Sequence, residues 1–325
     1  MKNYKVSFLF GGFWLLCATT VFGQTAVDTL FNNGAEAYNN KDYTTAVSCF
    51  LQAAKEYNDT QSQFFLGICY YNGLGIDQDF KTAKYWFNMA ADKGHSDAQA
   101  ALADCYVYGT GVDLNYYLAA YWYRKAALSG NAQAQNNLGI CYLNGNGVTR
   151  DAKEAVKWFT QAADQGDAEA MCNLGTCYYN GEGVLQSYVT AMKLYLQAAE
   201  KSHAKAQLLL GDCYYNGRGT HPDTTEGIKW YKRAAYQGHS EAQLRLGIHY
   251  LLGYYGGVVN SSEDIKWIKQ SAEQGWADAQ CILGEMYLNG LRVPKNQIEA
   301  LKWLTQAAAQ KHRRAISILR SLGYK

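Results

Sequence analysis

Five cysteines recur at one interval: Cys69, Cys105, Cys141, Cys177 and Cys213. Thiols in such a series could hold a metal or pair as disulfides, and both chemistries need partners within reach. If the interval is a structural repeat, equivalent Cα atoms lie about 8–10 Å apart, the distance between packed helices. That is beyond disulfide range. His249 and Met286 fill the same register further along, which marks it as a packing slot where a buried thiol acts as a small hydrophobe. His95, His203, His239 and His312 share a second register, held elsewhere by Asn131, Asp167 and Trp276. A position that accepts all four residue types reads as a tolerant turn rather than a ligand set. No Cys/His metal spacing and no paired catalytic carboxylates emerge. The Gly-x-Gly turns follow helical patterns rather than strands, so they are not dinucleotide loops. The sequence therefore points to no catalytic, cofactor or metal site.

The elements that carry these residues form a repeat. Leu66-Gly67, Leu102-Ala103, Leu138-Gly139, Leu174-Gly175, Leu210-Gly211 and Leu246-Gly247 stand 36 residues apart, and Leu283-Gly284 follows after 37. Trp86, Trp122, Trp158, Trp230, Trp267 and Trp303 keep the same step, with Leu194 as the exception, and an alanine pair such as Ala162-Ala163 follows most of them. Each repeat reads as two amphipathic helices. In the second full repeat, helix A runs from Asp97 to Tyr108 and helix B from Tyr117 to Ser129, with Ala119, Trp122, Tyr123, Ala126 and Ala127 along one stripe. Asn-Gly pairs such as Asn144-Gly145 close helix A, a second glycine reverses the chain, and Ser96 and Ser240 sit where an N-cap belongs. No single pair covers both faces of its helices, so neighbours must stack into one continuous core. The tryptophan series belongs to that core.

The chain has 325 residues, with 30 Lys+Arg against 28 Asp+Glu, 27 tyrosines and 2 prolines. Scarce proline fits long helical runs, and abundant tyrosine fits half-buried surface. Near-zero net charge argues against nucleic acid, and there is no polybasic run for anionic lipid. At the N-terminus, Lys2 and Lys5 precede an apolar stretch from Val6 to Phe22, and Gly23 offers a small residue for cleavage before Gln24. The stretch is shorter than the ~20 residues of a spanning helix. Residues 1–23 are therefore expected to be a signal peptide, giving an exported protein, periplasmic, envelope-associated or secreted. The alternatives are an uncleaved anchor and lipid attachment at Cys17, which the bulky Leu15-Leu16 disfavours. No lipid binding is expected once the leader is removed.

The pattern Leu-Gly-x-x-Tyr-x-x-Gly-x-Gly-Val, then Ala-x-x-Trp-x-x-x-Ala-Ala-x-x-Gly, then Ala-x-Ala-Gln resembles the Sel-one-like repeat (SLR) family, and residues 138–171 show it nearly intact. The resemblance implies an all-α, right-handed superhelical solenoid of antiparallel two-helix repeats, about seven of them, related to tetratricopeptide repeats and holding protein partners. It covers roughly residues 60–318. The looser segment Thr29–Tyr57, with Gly34, Tyr38, Ala46, Phe50 and Ala53-Ala54, resembles a tetratricopeptide unit. The expected organisation is a leader at 1–23, a tetratricopeptide-like cap repeat at 24–58, and an array at 59–325 ending in a capping helix. Arg292 replaces the second loop glycine in the last repeat, and the loop Gly253–Gly257 carries the inserted residue. Cysteine-rich members of the resembled family carry a disulfide within each repeat, but helix B here lacks the second cysteine.

The same resemblance implies that helix A lines a concave surface. Tyr71, Tyr179 and Tyr215, two residues before the first loop glycine, then become candidates for the groove, with Asn137 and Asn173 adding amides and Arg245 as the cation in that register. These six are the candidate partner-binding residues. Together they suit an uncharged protein or peptide segment. The expected function is a non-enzymatic interaction scaffold or adaptor of the cell envelope. One alternative is a regulatory or recruitment module for an envelope enzyme or receptor. Another is an enzyme such as a cell-wall hydrolase, which would need a nucleophile and base where the repeat breaks. Leu194, Arg292 and Tyr254-Tyr255 offer none.

Overall fold

Most helices A of the repeat begin on a residue that caps them and end on a glycine that turns the chain. Asn131, Asp167, His203 and His239 accept a hydrogen bond from the backbone N–H three residues on, at Ala134, Ala170, Ala206 and Ala242. Such a side-chain acceptor satisfies one of the free N–H groups of the first turn. The caps of the helices beginning at Ser96 and Ser240 are accordingly His95 and His239, one residue earlier than the serines. The histidine register is thus a cap position: imidazole Nδ1, amide Oδ1 and carboxylate Oδ1 all present an acceptor at the same reach. Trp276 in that register makes no cap bond. At the other end, Gly145 has φ +76° and its N–H bonds the Cys141 carbonyl. The second loop glycine is stricter: a Cβ on Gly147, at φ +71°, would run into the Tyr116 carbonyl. Arg292 takes up the same left-handed conformation, at φ 63°, where the last repeat lacks that glycine.

The computed structural model describes residues 26–253 and 261–324. The expected leader, its cleavage site at Gly23-Gln24 and the Tyr254-Tyr255 loop lie outside the described residues. Among the described residues there are 17 α-helices and no strand. The chain divides into two units, the first ending at Trp86 and the second starting at Phe87.

In the first unit, α1 (Ala26–Asn39) packs on α2 (Tyr43–Glu56), and α2 on α3 (Thr60–Asn72). Its core gathers Ala46, Phe50, Leu66, Cys69 and Trp86. The Phe50 and Phe65 rings stack at 5.1 Å.

The helix α4 (Phe80–Asp92) leads into the second unit, a stack in which each helix packs on the next: α5 (Ser96–Tyr108), α6 (Tyr116–Leu128), α7 (Ala132–Asn144), α8 (Ala152–Asp164), α9 (Ala168–Asn180), α10 (Tyr188–Glu200), α11 (Ala204–Asn216), α12 (Thr224–Tyr236), α13 (Ser240–Leu251), α14 (Ser261–Glu273), α15 (Ala277–Asn289), α16 (Gln297–Ala309) and α17 (Arg313–Ser321). Odd-numbered helices are helix A of their repeat, and even-numbered ones are helix B. Helix A lets helix B approach through its glycine: a Cβ on Gly139 would stand 2.6 Å from the Phe159 ring, and one on Gly211 2.6 Å from the Tyr231 ring. The deepest side chain of helix B is therefore the one after the tryptophan. Phe159 is fully buried, whereas Trp158 is only half-buried.

A second device joins neighbours, a row of buried glutamines. Gln135, Gln207, Gln243 and Gln280 each donate to a backbone carbonyl of the preceding helix B (Ala127, Ala199, Ala235 and Ala272) at 3.0–3.2 Å. Each also accepts from a glutamine at the end of the following helix B: Gln165, Gln237, Gln274 and Gln310, at 2.7–2.9 Å. From Ser96 onward, two repeats depart from this. Met171 and Lys201 replace both partners in one. In the other, Gln99 still donates to Ala91, but Ser129 stands where the second glutamine belongs, and the Gln99 Oε1 is buried without a donor among the described residues. Ser129→Gln is expected to supply that donor and raise stability by about 1 kcal/mol, the net worth of one hydrogen bond plus a relieved orphan. A urea midpoint that does not rise counts against this account of the row.

Candidate functional site

Beside its leucine-glycine step, helix A carries a register near its middle, polar in most repeats, and an aromatic register at its end. The polar register is Asp104, Ile140, Thr176, Asp212, Ile248 and Glu285. Its residue type follows the deep ring of helix B in the same repeat. Where helix B offers a tyrosine, helix A offers an acceptor: the Tyr123 hydroxyl donates to Asp104 Oδ1, Tyr195 to Thr176 Oγ1 at 3.2 Å, and Tyr231 to Asp212 Oδ1 at 2.5 Å. Where helix B offers Phe159 or Ile268, helix A offers Ile140 or Ile248. Glu285, opposite Leu304, turns instead to Arg314, whose guanidinium donates to it at 2.6 Å. Burial raises the Asp104 carboxyl to about 6, the Tyr123 hydrogen bond opposing the rise, and burial also raises Asp212 against the pull of its Tyr231 bond and of Arg245. These acids are structural. Their signal, a match between positions 19 residues apart, is present in the sequence but only appears when whole repeats are aligned.

The six candidate residues fall into five places. In the first unit, Tyr71 ends α3 with its ring 5.2 Å from Phe80, edge to face. In the second unit, Asn137 and Asn173 flank Asn136, and the Asn173 amide donates to Asn136 Oδ1 at 2.9 Å, joining α7 and α9. Tyr179 lies edge-on to Tyr188 at 5.0 Å, and the Arg218 guanidinium covers both rings at 5.2 and 5.3 Å. Tyr215 meets the His249 ring at 4.9 Å. Arg245 is held by its own chain, 2.9 Å from Asp212 and 2.7 Å from Glu241. Tyr188, Arg218 and His249 complete these contacts, and none of them shares the column of the ring it meets. Tyr188 and Arg218 lie on helix B and in a loop, outside the helix-A register.

What this arrangement can do chemically is bind. Tyr179, Tyr215 and Arg218 remain at least partly exposed, and an exposed guanidinium stacked on rings keeps in-plane donors free for an acceptor. Nucleophilic thiols are not part of it. Seven of the eight cysteines among the described residues are buried, and burial raises Cys141 and Cys177 to about 11 and Cys69, Cys172, Cys213 and Cys281 to about 12. Among the described residues no group of His, Cys, Asp and Glu could hold a metal ion, and no helix is long and apolar enough to cross a membrane.

Stacked antiparallel pairs, capped by one register and closed by another, define a tetratricopeptide-like α-solenoid, a class that generally mediates protein–protein interaction. The Sel1 repeat family matches at residues 33–58, 60–95, 96–131, 132–167, 168–203, 204–239, 240–276 and 277–312, and the chain belongs to that family. Sel1 repeat proteins are generally non-catalytic interaction scaffolds. The chain is similar to a protective antigen present in uropathogenic Escherichia coli strains displaying an SLR fold, at 34% identity and a TM-score of 0.71 over 91% of this chain, and it spans 64% of that protein. A Sel1 repeat protein from Oxalobacter formigenes is 33% identical, with a TM-score of 0.70 over 74% of this chain and 96% of its own. Yeast Tom70 shares the fold at 15% identity and a TM-score of 0.50, over 93% of this chain and 65% of Tom70. None of the curated proteins matches the chain.

Proposed function

We propose that this protein is an exported, non-enzymatic scaffold that holds an extended protein or peptide segment on the helix-A side of the second unit, between α7 and α13. The observation that carries the reading is the series of partly exposed rings and amides there: Asn137, Asn173, Tyr179 with Arg218, and Tyr215. Tyrosine gives large contact area at low entropic cost. Amides donate and accept at once, which suits an unpaired peptide backbone. With Arg245 neutralised by Asp212 and Glu241, Arg218 is the cation of this group that can meet a partner's carbonyl or carboxylate. The partner is therefore expected to be weakly charged, and its binding weakly dependent on salt. Export is supported by the leader-like residues 1–23 and by the buried, weakly acidic thiols, which survive an oxidising compartment because the thiolate is the reactive form.

The reading is tested by capture of a defined partner from envelope extract. Tyr179→Ala and Tyr215→Ala are each expected to weaken capture by ~2 kcal/mol or more, with helicity and thermal midpoint retained. Loss of stability together with capture would show that these rings only pack, and unchanged capture would place the partner elsewhere. Intact-mass measurement of the exported protein should begin at Gln24. Retention of residues 1–23 would contradict cleavage.

A further inference from the structure

The outward face of helix B is an ion-pair face in most of the second unit. Lys157 lies 2.7 Å from Glu154, Lys229 2.8 Å from Glu226 and Lys302 3.4 Å from Glu299, all at i,i+3. The acid directly after the alanine pair, such as Asp164 or Glu200, adds further charge. One repeat departs completely. On α6 the corresponding positions are Leu118, Tyr121 and Leu128, flanked by Leu114 and Tyr117, and the helix carries no carboxylate. All five are exposed, Tyr117 by 79% and Leu128 by 73%. Scattered surface apolar residues need no explanation, but a contiguous stripe of this kind marks a contact surface.

We propose that this face is a dimer interface and that its occupant is the α6 of a second copy of the chain, packed antiparallel about a twofold axis at Tyr121. The order of residues along the helix makes the face self-complementary. Antiparallel pairing centred on Tyr121 sets Leu114 against Leu128 of the second copy, Leu118 against the aliphatic stem of Arg124, and the Tyr117 ring against Lys125. The Tyr121 rings meet on the axis. Lys125 is already placed for ring contact, its ammonium 4.8 Å from the Tyr121 centroid and 4.7 Å from Trp122. A parallel pairing would instead bring Arg124 and Lys125 onto their own counterparts and is disfavoured by like charge. An isologous contact of this sort closes on itself as a dimer. Burying the stripe on both copies removes on the order of 1,000 Å² of surface, the lower edge of a specific interface, so association is expected at about micromolar concentration. The interface is independent of the helix-A reading above.

The test is sedimentation equilibrium of the purified chain from about 1 to 100 µM, the range in which a micromolar dimer forms. The informative variant is Leu118→Glu with Tyr121→Lys, which installs the Glu–Lys pair that Glu154 and Lys157 show two helices later and so should fold. It is expected to weaken dimerisation at least tenfold with unchanged helicity and thermal midpoint at low concentration, whereas Tyr179→Ala should leave it intact. A wild-type chain that stays monomeric throughout overturns the proposal, as does a dimer that the double variant leaves unchanged. A monomer that instead sediments with anionic phosphatidylglycerol vesicles overturns it in favour of a membrane surface.

Discussion

Phe159→Ala is expected to destabilise the second unit by about 3–5 kcal/mol, the range for removing a fully buried large aromatic, and by more than Trp158→Ala. The ring of Phe159 fills the space left by Gly139, where even a Cβ would stand 2.6 Å from it. With Phe159 truncated, the rigid backbone of α7 cannot follow, and a cavity remains. Trp158 is larger but only half-buried, and its indole Nε1 is buried without a partner among the described residues, so its removal also relieves an unmet donor. Urea unfolding of the two variants decides the order. A Trp158→Ala cost equal to or above that of Phe159→Ala would return the dominant packing role to the tryptophan series.

The second large effect is electrostatic. Asp104→Asn is expected to stabilise the protein by about 2–3 kcal/mol at pH 7.5, the linkage equivalent of a carboxyl raised from 3.8 to about 6. The sign follows from the direction of the shift. A carboxyl whose folded pKa lies above its unfolded one binds more protons in the folded state between the two values. Its contribution is complete below about 4 and is lost as pH rises through about 6. Asparagine keeps the Oδ1 acceptor for the Tyr123 hydroxyl without the buried charge. The wild type should therefore lose stability relative to the variant from pH 4.5 to 7.5, with the two converging at the acid end. Thermal midpoints across that range provide the measurement. Parallel profiles, or a variant less stable at pH 7.5, would show that Asp104 is compensated by something other than its tyrosine.

Most of the fold is legible in the sequence because each repeat restates it. The Leu-Gly step, the alanine pair and the Asn-Gly closures locate the helices to within a residue or two, and the structure gives Ser96–Tyr108 and Tyr116–Leu128 where the pattern suggests Asp97–Tyr108 and Tyr117–Ser129. What escapes a single-column reading is any feature carried by two columns together. The tryptophan draws attention by its size, yet the residue after it is deeper, because depth depends on the glycine of the facing helix. Asp104 and Asp212 look like surface acids until set beside Tyr123 and Tyr231. His95 and His239 look like turn residues, with a neighbouring serine as the obvious cap, and only the backbone geometry shows that imidazole is the acceptor. Of the candidate binding residues, Tyr179 and Tyr215 stand partly exposed as the register implies, while Arg245 is taken up by carboxylates one turn and one repeat away. A cation's availability cannot be read from its own column.

The glutamine row has a bearing on how the molecule comes apart. In a linear array each repeat touches only its neighbours, so the strength of each junction decides which repeats open together. Gln135, Gln207, Gln243 and Gln280 each stitch three successive helices by two bonds. At the junction entering α9 the stitch is replaced by Met171, buried among Phe159 and Leu174, and its partner column by Lys201. That junction lacks the glutamine stitch that its neighbours have, and is held by apolar contact together with the Asn173–Asn136 bond and the exposed Arg150–Glu182 pair. Of the junctions in the second unit it is the one that lacks both glutamine bonds, so α9 and the helices after it are expected to open as a block at lower cost there than at the stitched junctions, which hydrogen exchange would show as a step in protection between α8 and α9.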